Sequence, residues 1–429
     1  MRRIPEVFGR KNLLLMGVQG FYWCAYCTYF GFLVLYMQNH GYSNVQCAQA
    51  QVLIAVATLI TQPLIGYLTD SFITCKKFLL VTTALAVPVA FLLQASVSSP
   101  ILCYGAIVLQ SILFYPAASL IDSWTMALRE KDSQVQYPLT RSAGSVLYAL
   151  TALAFGNVIA ALGDGIIAPS FLLFSVLLFL CTCFLEETPC RNKQQKNVNQ
   201  EATRRISGME AAKTLLQNKT YVFFVLSCLL YHIANKSTGC FISNYVTNIG
   251  GDSGGLGLLM FFSAMVEFPS MMVMGKIIRR YPLGGLHLFA LSGVVIKNFF
   301  FLIASSMPLL VIGRLAEGMS YGAYVYIFVE YICRNTPKQL NVTAISLGTA
   351  MTSALGGIIG NYAAGLILDL WGLAPLSLAA MAMAVAAALD AMQIKEILGC
   401  IAGDDTIMCV VKHAEETDRV KEHIESLIR

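Results

Sequence analysis

The chain has 429 residues, of which 57% are hydrophobic and 12% charged, with a mean hydropathy of +0.66 and a formal net charge of +5. A water-soluble surface of that size needs far more charge, so a soluble globular protein is excluded and lipid is the solvent that fits. The thirteen Cys are no disulfide framework, because most lie inside apolar runs, where a thiol acts as a small apolar side chain.

In chain order, about a dozen apolar stretches approach the ~20 residues that cross a bilayer core. They cover roughly 12–37, 48–68, 78–96, 100–124, 139–163, 166–186, 219–247, 255–278, 284–304, 307–332, 340–368 and 373–393. Arg2, Arg3, Arg10 and Lys11 precede the first, which runs from Leu13 to Met37 with no small-residue cleavage pattern and so reads as a span, not a secretory signal. Inside it, Trp23-Cys24-Ala25-Tyr26-Cys27 has the spacing of a redox dithiol but not the soluble strand-to-helix setting that chemistry needs.

Lys and Arg fall on alternate connections, at Lys76, Lys77, Arg129, Lys131, the bases of 187–219, Lys276, Arg279, Arg280, Arg334 and Lys338. The other connections, 40–47, 96–100, 162–170, 248–256, 305–308 and 369–375, carry almost none. The positive-inside rule then makes both termini and the central loop cytoplasmic, in a multi-pass protein of the plasma membrane, or inner membrane. The polar segment 187–218 is a cytoplasmic linker between six spans in 1–186 and six in 219–393, with a cytoplasmic tail at 394–429.

After the second stretch comes Gly66-Tyr67-Leu68-Thr69-Asp70, followed by Lys76 and Lys77, and Gly275-Lys276-Ile277-Ile278-Arg279-Arg280 partly repeats it after the eighth. Gly permits close helix approach, and an Asp at a helix end makes charge-assisted hydrogen bonds. Layout and motif resemble the major facilitator superfamily, although Ser71 stands where that family has a base and a further Gly is missing. The resemblance implies an all-α membrane protein of two six-helix bundles with a short α/β tail, working by alternating access around a midplane site. Gly66, Asp70, Lys76 and Lys77 would form its conformational loop, and the transporter part would be monomeric.

Asp122 near the end of the fourth stretch and Arg141 just inside the fifth can meet across the loop between them. A charge deep in a span costs about 2.5–3.5 kcal/mol on insertion scales, which calls for a partner or an aqueous cavity. Carboxylate and guanidinium together suit neighbouring hydroxyls, and Tyr148, two turns beyond Arg141 on the same face, can cover an apolar sugar face. The bland alternative is a helix-end salt bridge that orders the loop. These residues, with Gln62-Pro63-Leu64-Ile65-Gly66-Tyr67-Leu68, resemble the oligosaccharide:proton symporters, the lactose permease group, and related nucleoside symporters. The resemblance implies that Asp122, Arg141 and Tyr148 bind the substrate.

The second half departs from that group. The seventh stretch offers His232, Asn235 and Lys236, with neutral Asn235 where the permease has an acid, and the eleventh contains no Lys. Glu317 stands where the permease has a His, Ser320 where it has the following acid, and Arg314 lies one turn from Glu317. Glu267, in Val266-Glu267-Phe268-Pro269, resembles the acid of the wider group. Glu267, with Glu317 and Arg314, is the expected proton-coupling set, since a mid-span carboxyl can change charge with its surroundings; His232 reads as a packing residue.

Beyond 378, Ala386-Ala387-Ala388-Leu389-Asp390 and Lys395-Glu396-Ile397-Leu398-Gly399-Cys400-Ile401-Ala402-Gly403-Asp404-Asp405-Thr406-Ile407-Met408 resemble the C-terminal domain of the bacterial arginine repressor. That implies arginine contacts at Asp404 and Asp405, but the domain's first strands and the DNA-binding winged helix are missing. A natural fusion and a joining artefact both explain the junction. The sequence therefore points to a proton-coupled transporter of a sugar or nucleoside-like solute, with no cofactor, no metal and no nucleic-acid partner. A proton-driven exporter of drugs or metabolites is the first alternative, and an arginine-binding regulator acting through the tail is another. No motif sets a nucleophile beside a base, so an enzyme is not expected.

Overall fold

The computed structural model describes residues 9–132, 134–188, 208–337, 340–391, 397–402 and 407–411. They form α1 Arg10–Tyr26, α2 Leu33–Asn39, α3 Asn44–Ser71, α4 Cys75–Ser96, α5 Pro100–Phe114, α6 Ala117–Lys131, α7 Tyr137–Leu162 and α8 Ile167–Cys183. There follow α9 Gly208–Gln217, α10 Lys219–Cys240, α11 Ile242–Asn248, α12 Ser253–Ile277, α13 Leu283–Leu302, α14 Met307–Asn335, α15 Asn341–Thr349, α16 Leu355–Leu370 and α17 Leu373–Ala391. Strands β1 Ile397–Ala402 and β2 Ile407–Val411 close the described chain.

Eight helices among the described residues are long and apolar enough to cross a membrane. The first stretch falls outside that set because it is not one helix: a π-helical turn, Cys27–Gly31, ends α1, and Phe32 (φ −109°, ψ 6°) separates it from α2. The seventh stretch breaks likewise at Phe241 (φ −109°, ψ 31°), between α10 and α11. Pro116, which has no N–H to bond back along the chain, stands at the cap between α5 and α6. The fourth stretch runs on past 124, so that Arg129 and Lys131 lie in its last helical turn, where cations offset the C-terminal dipole.

Helix starts follow their chemistry. Ser43 and Gln46 make a reciprocal capping box for α3, Thr74 caps α4 and Asn218 caps α10. Gly41, Gly163, Gly250 and Gly372 take positive φ in the base-poor connections, a conformation glycine adopts without steric cost.

These features recur at one interval. Gly250 follows Gly41 by 209 residues and Gly372 follows Gly163 by 209. The breaks at Phe32 and Phe241 and the helix starts at Arg10 and Lys219 keep the same interval of 209, as do Gly66 and Gly275.

The chain divides into two compact units, one of 1–205 with 250–265 and one of 206–249 with 266–429. In the first, Phe114 stacks on Tyr22 at 4.9 Å and meets Phe171 edge-on at 5.0 Å, and Trp124 of α6 is buried. There α7 and the start of α12 approach closely: a Cβ on Gly156 would strike the Ser253 carbonyl, and one on Gly257 the Ala152 carbonyl. Ser253 Oγ donates to the Gly156 carbonyl at 2.9 Å.

The second unit is built on Tyr221, Phe224, Cys228, Leu291, Val294, Ile327 and Ala384, with Phe224 stacked on Tyr331 at 3.9 Å and Tyr231 on Tyr324 at 4.4 Å. Ile101, Leu102, Leu162 and Leu173 on the first unit and Met272 and Leu370 on the second are exposed, as lipid-facing side chains are. β1 and β2 pair antiparallel, Ala402 opposite Ile407 and Cys400 opposite Cys409, with an irregularity between Ile397 and Gly399.

Candidate functional site

In the first unit, polar groups of α6 and α7 converge on α1. Gln19 Nε2 donates to Asp122 Oδ1 at 2.9 Å, tying α1 to α6. The Arg141 guanidinium of α7 lies 5.1 Å from the centre of the Trp23 ring, a cation–π distance. Tyr148 and Tyr26 stand edge-on to the same indole at 6.2 and 5.2 Å. Gly144 makes room for this, since a Cβ there would sit 2.6 Å from Trp23 Cδ1.

Asp122 and Arg141 are thus neighbours that share an electrostatic field but no ion pair joins them among the described residues; each is engaged by α1 instead. Gln19 Oε1 and Trp23 Nε1, both buried, have no hydrogen-bond partner among the described residues.

In the second unit, the fully buried Lys297 of α13 donates to Asn235 O at 3.1 Å and Asn235 Oδ1 at 2.7 Å, and reaches Glu317 Oε1 at 3.4 Å. Arg314 Nη1 donates to the other carboxylate oxygen of Glu317. One acid therefore sits between two cations, linking α10, α13 and α14. Ser320 Oγ donates to the Ala290 carbonyl at 2.5 Å and bonds with the Tyr231 hydroxyl at 3.1 Å, a tie between helices. His232 is buried against Tyr324, its Nδ1 without a partner among the described residues. Glu267 is half-buried on α12, where its carbonyl would lie 2.6 Å from a Cβ on Gly322 of α14.

The two lysines of the expected conformational loop make contacts within the first unit. Lys76 Nζ donates to the carbonyls of Cys183 at 2.9 Å and Leu185 at 2.6 Å, closing the end of α8, where a cation meets unpaired carbonyls and the negative dipole end. Lys77 pairs with Glu187 at 3.2 Å. The Thr74 hydroxyl, which donates to Glu187 at 2.6 Å, together with Lys77 holds the Glu187 carboxyl below its ordinary value.

Among the described residues, no atom lies within 4 Å of where a Cβ on Gly66 would stand. A Cβ on its repeat mate Gly275 would lie 3.3 Å from the Tyr326 hydroxyl and 3.4 Å from Tyr326 Cζ. Asp70 falls in the last turn of α3, and Asp404 and Asp405 lie outside the described residues.

Sequence reasoning missed Lys297, Gln19 and Trp23. Lys297 carried a signal, a cation within an apolar stretch; Gln19 and Trp23 carried none, since their roles arise only when α1 meets α6 and α7.

Apolar helices of membrane-spanning length that bury ionised and polar clusters fit a multi-pass membrane protein. The chain matches the MFS_1 like family over residues 13–379 and belongs to it. It is 24% identical over 372 residues to YegT of Escherichia coli (strain K12), a candidate nucleoside transporter by name, covering 84% of each chain. It shares its fold with the crystal structure of a point mutant of the nucleoside transporter NupG, at TM-score 0.80 and 16% identity, over 89% of this chain and 99% of that one.

Residues 377–426 match the arginine repressor C-terminal domain. The arginine repressor of Lachnoclostridium phytofermentans is 60% identical over 48 residues, which span about a third of that protein, 32%. The two matches overlap at 377–379, inside α17.

Proposed function

We propose that this protein is a secondary transporter working by alternating access, taking up a nucleoside-like or sugar solute together with protons. The observation that carries the reading is the unspent hydrogen-bonding capacity of Gln19 Oε1 and Trp23 Nε1 beside Asp122 and Arg141. A buried acceptor and donor without partners is costly in an empty site and favourable with a hydroxylated solute in place. The Trp23, Tyr26 and Tyr148 rings supply flat apolar surface for a sugar face or a base. On this reading Asp122, Arg141 and Tyr148, with Gln19 and Trp23, bind solute.

Proton coupling belongs to the second unit, with Glu267 and the Arg314–Glu317 pair as the working acids and base and Lys297 as part of their network. Twelve spans in two six-helix bundles, 1–186 and 219–393, joined by the linker 187–218, carry this machinery as a monomer, with both termini on the cytoplasmic side of the plasma membrane. The name of YegT and the repeat interval of 209 residues support that layout.

Uptake of radiolabelled nucleosides and sugars into vesicles, with and without an imposed proton gradient, tests the reading. Accumulation above equilibrium that collapses with the gradient is the expected result. Gradient-dependent extrusion, or no uptake of either class, would refute it.

The tail is idle in this scheme. Asp404 and Asp405 come with about a third of a repressor, and a two-stranded sheet is marginal by itself. Deleting residues 399–429 leaves uptake unchanged, and titration calorimetry at millimolar arginine shows no heat; saturable arginine binding that Asp405→Ala abolishes would revive the sensor.

A further inference from the structure

Lys276, Arg279 and Arg280 stand at the end of α12, where the N–H groups of Ile278 and Tyr281 close the last turn onto the Met274 and Ile277 carbonyls at 3.0 and 3.2 Å. At about 100° per residue, the three bases fall within one arc of about 100°. All are exposed, and among the described residues none makes an ion pair or a side-chain hydrogen bond. No acid is close along the chain, since residues 268–316 contain neither Asp nor Glu. Bases elsewhere are differently placed: Lys11, Lys77 and Arg334 pair with acids, Lys76 is held by carbonyls, and Arg129 and Lys131 flank Glu130.

The same arc continues back along the span as bare apolar surface. Met272 and Val273, one turn before Lys276, are 62% and 53% exposed, and Tyr281, just past the bases, is 60% exposed. Met272 lies about 40° and Val273 about 60° from Lys276 around the helix, whereas Met274 and Ile278 lie about 160° away. Those two belong to the core of the second unit, and on that side Ser270 Oγ donates to the Met319 carbonyl of α14 at 2.7 Å. The bare face therefore points away from the core of its own unit. Apolar side chains leading to cations with an aromatic ring beside them follow the order of acyl chain, headgroup and interface in a leaflet.

The repeat supplies an internal comparison. At 209 residues earlier, Leu64, Tyr67 and Phe72 on α3 and just after it are exposed, as Val273, Lys276 and Tyr281 are. Both halves thus present the same bare face. In the first half, however, Tyr67, Asp70 and Ser71 stand where the second has Lys276, Arg279 and Arg280. The frame therefore forms this turn without a basic cluster, and the cluster is particular to α12.

We infer that the end of α12 binds an anionic glycerophospholipid, with an acyl chain along Met272 and Val273 and the phosphodiester held by Lys276, Arg279 and Arg280. A guanidinium meets two phosphate oxygens at once, and the lysine adds a point charge on a flexible stem. No acid stands in the cluster to receive the ammonium of a zwitterionic headgroup, so a net negative headgroup such as that of phosphatidylglycerol is favoured. The site is independent of which solute the protein carries.

Native mass spectrometry of the purified full-length protein in detergent tests this, with dioleoyl phosphatidylglycerol and dioleoyl phosphatidylethanolamine as probes. The anionic lipid binds at least tenfold more tightly. A base near an anionic headgroup contributes about a factor of five, so Lys276→Gln, Arg279→Gln and Arg280→Gln each lower the preference by about that much and the triple variant brings it to about one. Arg129→Gln with Lys131→Gln, at another helix end, keeps it. Equal binding of the two lipids, or a preference that the triple variant retains, overturns the inference. A preference lost equally in the Arg129 and Lys131 variant would report net charge alone and overturn it as well. Glycerol 1-phosphate, the phosphate without acyl chains, does not compete at hundredfold excess; competition would make this a free-phosphate site and refute the lipid. Without lipid, the triple variant melts within 2 °C of the parent, since its side chains bond to no described residue; a larger fall would show that the bases serve the protein itself and would also refute the site.

Discussion

Lys297→Met tests whether the buried network holds the second unit together. The substitution keeps an unbranched stem of similar size in a fully buried position and removes only the ammonium. Three contacts go with it, two to Asn235 and one to Glu317. Removing one partner of a buried ion pair costs about 3–5 kcal/mol. The low end applies, because Glu317 keeps Arg314 and the Lys297–Glu317 contact is long at 3.4 Å.

A loss of about 3 kcal/mol corresponds to a fall in Tm of roughly 6–12 °C for a unit of this size, read by thermal unfolding in detergent. Glu317→Gln in the same background should recover part of that loss, with a coupling of about 1–2 kcal/mol between the sites. A single Met variant that melts within 2 °C of the parent, or strict additivity in the double variant, would show that the ammonium is not bound as described.

Gly257→Val drives a side chain into the Ala152 carbonyl and should lower Tm by several degrees, while Gly105→Ala, with open space around it, should raise stability by about 0.4–1 kcal/mol; the reverse order would discredit the α7–α12 contact. Asp122→Asn and Arg141→Lys should each weaken solute binding at least tenfold, since the first removes the charge and the second the planar group over Trp23; unchanged binding in both would leave a helix-end brace. Glu267→Gln should abolish gradient-driven accumulation but leave solute exchange, and accumulation that survives would pass the role to Glu317. The Lys11 ammonium, donating to Asp132 at 3.0 Å, depresses that carboxyl. Its tie is therefore complete above the ordinary Asp value and lost as pH falls through the depressed one. Hydrogen exchange at 134–136 should accelerate in that acidic window, and in Asp132→Asn it should be fast at every pH.

Much of the architecture was legible because bilayer thickness imposes a length on each apolar run and basic residues mark one side. The broken first and seventh stretches were not legible: neither Phe32 nor Phe241 is a helix breaker, and a π turn leaves no local signature of the kind Pro116 does. The candidate site was half legible. Asp122 and Arg141 were visible as charges in apolar helices, but their partners on α1 are set by packing. Asn235 looked like a lost acid, when the cation it serves lies on α13.

The 209-residue interval has a consequence for how the labour is divided. Had the chemistry been duplicated along with the hinges and turns, each working residue would have a counterpart at that spacing. None does: Asp122 falls opposite Tyr331, Arg141 opposite Ala350, Lys297 opposite Pro88, Arg314 opposite Gly105 and Glu317 opposite Val108. Turns and hinges thus repeat where the charged groups do not. Under the proposed assignment of solute to the first half and proton coupling to the second, a change of solute specificity would fall on positions that have no counterpart in the coupling network.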